Sequence, residues 1–339
     1  MFIFVKMKRL LYFALIFFPL VFHAEKSSAQ LNVFIEKAIS TFSRITGSTG
    51  YDTTYIAPPA RPWMVAPFVQ STGFDVYNSN TLSGIGYQSF RSSRTRYFSG
   101  VNASYKGLGL EVGFNPQKVF QNKKFNEKVF NLNYYTNRFC IDAMYNYSPS
   151  IAGSLKMNGE WTSLQENILE HKSLLISSYY IFNNKQFSYP AAFNQGFIQK
   201  RSAGSPLAIM LFCRNRFNIN PWEALDSHYT ESKLLTFCVG AGYGYNFVTP
   251  HNWLIHLSSI PAVSVLSVTG STLDDVETNR RPYLNAMLTQ RFSVVKYLAN
   301  DHLFFNISAY GIGLLALKDL RFSYAQMVWD TRFTIGLMF

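Results

Sequence analysis

Beyond residue 29 the chain has no run of eighteen consecutive apolar residues, which excludes a membrane protein built of helical spans. Charge is scarce: Asp, Glu, Lys and Arg make up 15% of the residues, against roughly a quarter in an ordinary water-soluble domain. Cysteine is scarcer still. Cys140, Cys213 and Cys238 are an odd number at wide spacings, which excludes a disulfide framework and offers no metal-binding pattern. Cys140 and Cys238 fall on predicted inward strand faces, so one bridge is conceivable, but three buried free thiols are the expectation. Histidines 171, 228, 251 and 302 fall in predicted loops and turns, without the spacing of a metal pair, and are expected at the surface. No metal or cofactor is expected.

Aromatic residues take the place of charge. The chain has 21 Tyr and 31 Phe, and 48% of its residues are hydrophobic. Moderate hydropathy without long apolar blocks is the balance expected when lipid-facing and lumen-facing residues alternate along strands. The last sixteen residues show the alternation most clearly. Met327, Trp329, Phe333, Ile335, Leu337 and Phe339 share one face, and Gln326, Asp330, Arg332, Thr334 and Gly336 the other. Such an ending resembles the closing strand of a bacterial outer-membrane β-barrel.

The opening residues resemble a secretory signal. Lys6, Lys8 and Arg9 form a basic region, Leu10 to Phe22 an apolar stretch, and Ser27-Ser28-Ala29 a cleavage site before Gln30. The apolar stretch is shorter than the ~20 residues of a spanning helix, which favours export over anchoring. The formal net charge is +12. In an exported protein that surplus points to lipopolysaccharide phosphates or an anion-preferring lumen, and not to nucleic acid.

Residues 31–45 carry Leu31, Phe34, Ile35, Ala38, Ile39, Phe42 and Ile45 at helical spacing, and 47–62 form a Pro-containing linker. From Trp63 the period becomes two. It predicts strands at 63–71, 95–105, 108–115, 128–136, 139–147, 174–182, 204–217, 232–247, 252–266, 283–296, 302–316 and 324–339, Pro261 making 252–266 the weakest. Lys106-Gly107 and Asn137-Arg138 are predicted two-residue turns, and 248–251 and 297–301 are short. Between them lie longer links at 72–94, 116–127, 148–173, 218–231, 267–282 and 317–323. The fold expected is all-β: a transmembrane antiparallel barrel of about 12 strands, with tight turns toward the periplasm. Three divisions follow: a signal at 1–29, a periplasmic helix and linker at 30–62, and the barrel at 63–339. Residues 183–203 break the pattern as a long connection where a short turn is due, and fit either an extra hairpin or an in-folded plug.

Tyr180-Ile181-Phe182-Asn183, Phe187-Ser188-Tyr189, Ala191-Ala192-Phe193, Gln199 and Ser202-Ala203-Gly204-Ser205 resemble an uncharacterised family of Bacteroidota-type exported proteins, domain of unknown function 4421. Asp52-Thr53-Thr54-Tyr55-Ile56 and Tyr105-Lys106-Gly107-Leu108-Gly109-Leu110 are two further patches of resemblance. The resemblance implies an outer-membrane barrel over most of the chain and supplies no catalytic residue.

The sharpest chemical candidate is His256-Leu257-Ser258, in which a histidine and a serine two apart share a strand face. A histidine so placed can activate the hydroxyl, and outer-membrane phospholipase uses a His-x-Ser arrangement of this kind. Against it, the pair lies near the predicted periplasmic end and shares its phase with Leu254 and Ile260. Gly240, Gly242 and Gly244 alternate with bulky residues, as small inward residues in a narrow barrel would, and do not resemble a phosphate cradle. Glu111, Asp142, Arg214, Arg216, Arg291, Asp330 and Arg332 are assigned to the inward phase. They would line a pore or form cross-lumen ion pairs in a barrel too narrow to conduct.

Two functions are therefore expected of a non-catalytic barrel, a small channel or a structural envelope protein. The alternative is a lipid-acting hydrolase, and a soluble two-sheet sandwich is the rival fold. Expected partners are outer-membrane lipid, lipopolysaccharide and the barrel-insertion machinery, engaged through the strand ending at Phe339. The barrel is expected to be a monomer.

Overall fold

A computed structural model describes residues 50–81, 87–117, 127–157, 160–219, 230–273, 276–282, 284–298, 302–316 and 322–339. The predicted signal, the 31–45 helix, His228 and most of the 116–127, 218–231 and 317–323 links lie outside these residues. Strands are numbered in chain order: β1 Ile56–Ala57, β2 Trp63–Thr81, β3 Tyr87–Tyr105, β4 Leu108–Phe114, β5 Lys128–Tyr135, β6 Phe139–Met157 and β7 Glu160–Ile181. After a single-turn helix α1, Pro190–Phe193, come β8 Ile198–Gln199, β9 Ala203–Ile219, β10 Thr230–Val248, β11 Trp253–Leu273, β12 Val276–Pro282, β13 Asn285–Leu298, β14 Leu303–Ala316 and β15 Phe322–Met338.

Each strand from β2 to β7 pairs antiparallel with the next, and the ring continues through β9, β10, β11, β13, β14 and β15. It closes where β15 pairs with β2, from Phe322 opposite Asn80 to Met338 opposite Met64. The result is a closed barrel of twelve strands, with β12 a short hairpin arm on β11. All twelve expected strands are present. Several are longer than their periodicity predicts: β2, β3, β6, β7 and β11 run on into the 72–94, 148–173 and 267–282 links. These extensions have polar residues on both faces, as in Asp75-Val76-Tyr77-Asn78-Ser79-Asn80, so no apolar stripe marks them as strand.

The barrel is inverted relative to a water-soluble one. Its outer face carries exposed Val69, Val101, Leu132, Met210, Leu257, Val263, Ile307, Met327, Ile335 and Leu337. Exposed Trp63, Phe182, Phe247, Trp253 and Phe339 ring the end with the tight turns, and Tyr77, Tyr97 and Tyr145 the other end. An apolar band between two aromatic girdles is the surface of a bilayer-spanning barrel. In the last strand Gln326, Thr334 and Met338 are buried while Met327, Phe333, Ile335 and Leu337 are exposed, the phase expected from sequence.

Local backbone demands are met at two places. Lys106 and Gly107 both have positive φ, 47° and 87°, the type I′ geometry that matches strand twist in a two-residue hairpin. A Cβ on Gly107 would stand 2.2 Å from the Tyr135 carbonyl oxygen. Pro261 does not interrupt β11. It pairs with Leu288 of β13 on one side, and on the other the register with β10 skips Ala241 and Gly242. Gly240 and Gly242 lie so close to β11 that a Cβ on either would meet the Pro261 or Ser259 carbonyl oxygen at 2.2 or 2.1 Å. Glycine here admits the backbone of a proline-bearing strand.

Gly107→Ala is expected to destabilise the folded barrel by about 1–3 kcal/mol, read as a lower urea midpoint in detergent micelles. An unchanged midpoint would show that the turn relaxes freely.

Candidate functional site

The interior at the turn end is occupied by residues 183–203. Of the two structures expected there, the in-folded plug is the one formed. Phe187, Ser188, Tyr189, Ala191 and Ala192 are fully buried. Pro190 starts α1 at the position where its missing N–H costs nothing, and the Ala191 amide donates to Ser188 Oγ at 3.3 Å. A helix this short leaves its last carbonyls without internal donors. The wall supplies them: Ser293 Oγ and Asn306 Nδ2 donate to the Ala192 oxygen at 2.7 and 3.1 Å, and Tyr297 Oη to the Ala191 oxygen at 3.4 Å. Asn194 Nδ2 donates to the Gly107 oxygen at 3.1 Å.

Two apolar clusters seat the plug. Phe187 and Tyr189 pack with Tyr135, Tyr179, Ile181, Leu207, Ile209, Leu211 and Ile260, while Ala191 and Ala192 pack with Met64, Leu254, Val295, Phe304 and Met338. Burying a large side chain contributes about 1.5–3 kcal/mol, so the plug is held by packing as well as by hydrogen bonds. Gly244 leaves room for it, since a Cβ there would meet Phe187 at 3.2 Å. From below, the Asp52 amide donates to the Lys185 oxygen at 2.9 Å, and β1 pairs with β8, Ile56 opposite Gln199. Thr54 hydrogen bonds lower the Asp52 carboxyl below its ordinary pKa.

Above the plug, charged side chains meet across the lumen. Arg291 on β13 pairs with Asp142 on β6 at 2.9 Å, five strands away around the ring. Tyr135 Oη donates to the same carboxylate at 2.5 Å. The guanidinium is enclosed by rings, its carbon 4.6 Å from the Tyr310 centroid, 4.8 Å from Tyr179, 5.2 Å from Phe193 and 5.8 Å from Tyr189. Arg332 forms a two-pronged contact with Glu111, 2.6 and 2.7 Å, and reaches Gln70 at 2.7 Å. Asp330 lines the same space, a small polar cavity of about 80 Å³ that Asn102, Asn131 and Asn133 also line. Farther from the plug, Asn215 on β9 donates to Gln326 on β15 at 3.2 Å, and Arg96 donates to Ser148.

Arg214 and Arg216 do not join them. On β9 the buried residues are Ala203, Ser205, Leu207, Ile209, Leu211, Cys213, Asn215 and Phe217, so both arginines stand on the outer face. The inward face of β9 is apolar because it packs on the plug. With Leu207, Ile209 and Leu211 inside and Met210 and Phe212 outside, hydropathy alone does not separate the faces. His171 is a second correction. It lies on a strand and not in a loop, buried and stacked on Phe217 at 4.5 Å, with Asn215 Oδ1 3.2 Å from Nε2. His251 and His302 are exposed at the turn end, and the three cysteines are buried and free.

His256 and Ser258 both point inward and are buried, with Ser258 Oγ 3.0 Å from His256 Nε2. Sequence reasoning missed the third member. Asn246, directly opposite His256 on β10, places Oδ1 2.7 Å from Nδ1. Asn246 is in phase with the inward Cys238 and Gly244 of its strand, but only the register brings it to His256. The Asn246 amide also donates to the Ser188 oxygen at 2.8 Å and to Gln199 Oε1 at 3.0 Å. Asn–His–Ser is a geometry able to activate a hydroxyl. Here it is roofed by Phe187, Tyr189 and Phe193, whose rings lie 5.9, 5.3 and 4.9 Å from the imidazole.

Residues 50–339 match the domain of unknown function DUF4421. The chain belongs to that family. Comparison with curated proteins finds no match. Among solved structures, the outer membrane protease OmpT of Escherichia coli is similar at 8% identity and TM-score 0.42, over 82% of this chain and 97% of that one. The outer membrane protein OprG of Pseudomonas aeruginosa is similar at 8% identity and TM-score 0.29, covering 85% and 99%. The translocator domain of the autotransporter NalP of Neisseria meningitidis reaches 11% and 0.29, covering 93% and 98%. None of these likenesses carries an activity to this DUF4421 chain.

Arg291→Leu, which strands a buried Asp142, is expected to cost about 3–5 kcal/mol of stability, and the double variant Arg291→Leu/Asp142→Leu to recover much of it. Detergent-micelle unfolding of the two single variants and the double tests this. Simple additivity would rule out the cross-lumen coupling.

Proposed function

We propose that this DUF4421 protein is an integral outer-membrane barrel of a Bacteroidota-type bacterium, exported through a cleaved signal at 1–29. In this reading it is a monomer with its turn end in the periplasm, inserted through the strand that ends at Phe339. Its role is that of a sealed envelope protein and not an open channel. The observation that carries this reading is the plug, whose rings and backbone fill the turn end and bond to β10, β13 and β14. The Arg291–Asp142 pair spans the lumen above it and supports the same reading. A solute would have to break both layers to pass.

In planar bilayers the purified protein is expected to show no conductance above lipid alone. The variant Phe187→Gly/Tyr189→Gly/Phe193→Gly combined with Arg291→Ala/Asp142→Ala, which opens both layers, is expected to conduct. Stable conductance steps in the unaltered protein would overturn the sealed reading in favour of a small channel.

One observation favours a second reading, a lipid-acting hydrolase: the Asn246–His256–Ser258 alignment. Its burial under the plug, together with the bonds from Asn246 to Ser188 and Gln199, supports a structural role. Ser258→Ala is therefore expected to leave the phospholipid and lipid A profiles of expressing cells unchanged. An altered profile with normal barrel assembly would establish the hydrolase instead.

A further inference from the structure

The two arginines that face outward belong to a larger array. Lys128 on β5, Tyr147 on β6, Lys172 on β7, Arg216 on β9 and Lys233 on β10 are successive cross-strand partners, one continuous row over five neighbouring strands. The next row toward the turn end is Phe130, Tyr145, Leu174, Arg214 and Leu235. That row is apolar except for Arg214, whose aliphatic stem can lie on its neighbours while its head reaches the charged row. Lys128, Arg214 and Lys233 are exposed and Lys172 half-exposed. Lys172 also lies 5.3 Å from the Tyr147 ring centroid. Glu170 on this face is held by Lys172 at 2.8 Å and by Asn218 at 2.7 Å, and on β10 Glu231 stands two residues from Lys233, opposite Asn218.

Lys128, Lys172, Arg214, Arg216 and Lys233 therefore border the apolar band on the loop side of the barrel. A cation facing hydrocarbon is costly, and one facing headgroup phosphates is stabilised. Guanidinium groups bind phosphate by paired hydrogen bonds and ammonium groups as point charges. We infer that this face binds the phosphates of lipid A in the outer leaflet, with acyl chains lying over Phe130, Leu174 and Leu235. The inference rests on the membrane placement proposed above, because it needs the loop end in the outer leaflet.

The test uses the full mature chain folded into detergent and then into vesicles of phosphatidylcholine with or without lipid A. Native mass spectrometry should detect retained lipid A on the unaltered protein. Retention should fall roughly tenfold in Lys172→Gln/Arg214→Gln/Arg216→Gln and stay unchanged in a control of equal charge loss at the turn end, Lys106→Gln/Lys185→Gln/Lys200→Gln. Dephosphorylated lipid A should bind no better to the unaltered protein than to the triple variant. Equal retention by both triple variants, or indifference to dephosphorylation, overturns the site. Heat-modifiable gel mobility reports folding of each variant. If the outer-face triple does not fold, Arg214→Gln alone is measured, and undiminished retention there overturns the site as well. Failure of the unaltered protein to insert into vesicles would sink the membrane placement itself, a separate outcome from insertion without lipid A binding.

Discussion

A sheet in hydrocarbon has no water to satisfy the amides and carbonyls of its edge strands, so the sheet must meet itself. In this chain the requirement is met by β15 against β2, and at the turn end by Trp63 and Phe339, which exchange amide-to-carbonyl bonds of 3.2 and 3.0 Å. Closure has a consequence for the interior. Twelve strands enclose more space than their own inward side chains fill on the plug side, where Gly240, Gly242 and Gly244 face inward. The plug fills that space, and its backbone, taken from water, must be paired in turn. That is why Ser293, Asn306, Asn246 and Tyr297 lie buried in the wall: they serve the carbonyls of Ser188, Ala191 and Ala192.

The stretches that carry the family resemblance meet at this one place. Asp52 to Ile56 underlie the plug through the Lys185 carbonyl and the pairing with Gln199. The Lys106-Gly107 turn receives Asn194. Gln199 ties the layers together, accepting from Ser188 and donating to the Gln186 and Arg201 carbonyls. Residues far apart in sequence are thus one structural unit, the plug and its supports. The match of residues 50–339 to DUF4421 covers the barrel together with this in-folded segment.

Strand alternation was legible wherever one face met lipid and the other met polar groups. Strands β6, β10, β13 and β15 show this, and the fold class and the inward positions of Glu111, Asp142, Arg291, Asp330 and Arg332 followed from it. It failed where that contrast is lost. On β9 both faces are apolar because the inner one packs on the plug, and Arg214 and Arg216 were placed on the wrong side. In the extensions of β2, β3, β6 and β7 polar residues stand on both faces, and strand was read as loop, which left His171 at the surface. Pro261 looked like a break because the two glycines that accommodate it sit on another strand, at 240 and 242. Contacts across the lumen, such as Arg291 to Asp142, need a register that no local pattern contains.

The Asn246–His256–Ser258 alignment shows how far geometry alone goes toward function. Spacing and orientation meet the demands of nucleophile activation, yet a hydrolase also needs an approach for its substrate and donors for the oxyanion. Phe187, Tyr189 and Phe193 cover the imidazole of His256, and the Asn246 amide donates to the plug at Ser188 and Gln199. Of the three aligned residues, Asn246 thus bonds the plug backbone and His256 packs against the plug's rings. Charge is distributed by the same logic. Arg291 and Arg332 pair across the lumen with Asp142 and Glu111, while Arg214 and Arg216 stand on the outer face. Position relative to the closed wall, more than residue type, decides what each polar group of this barrel does.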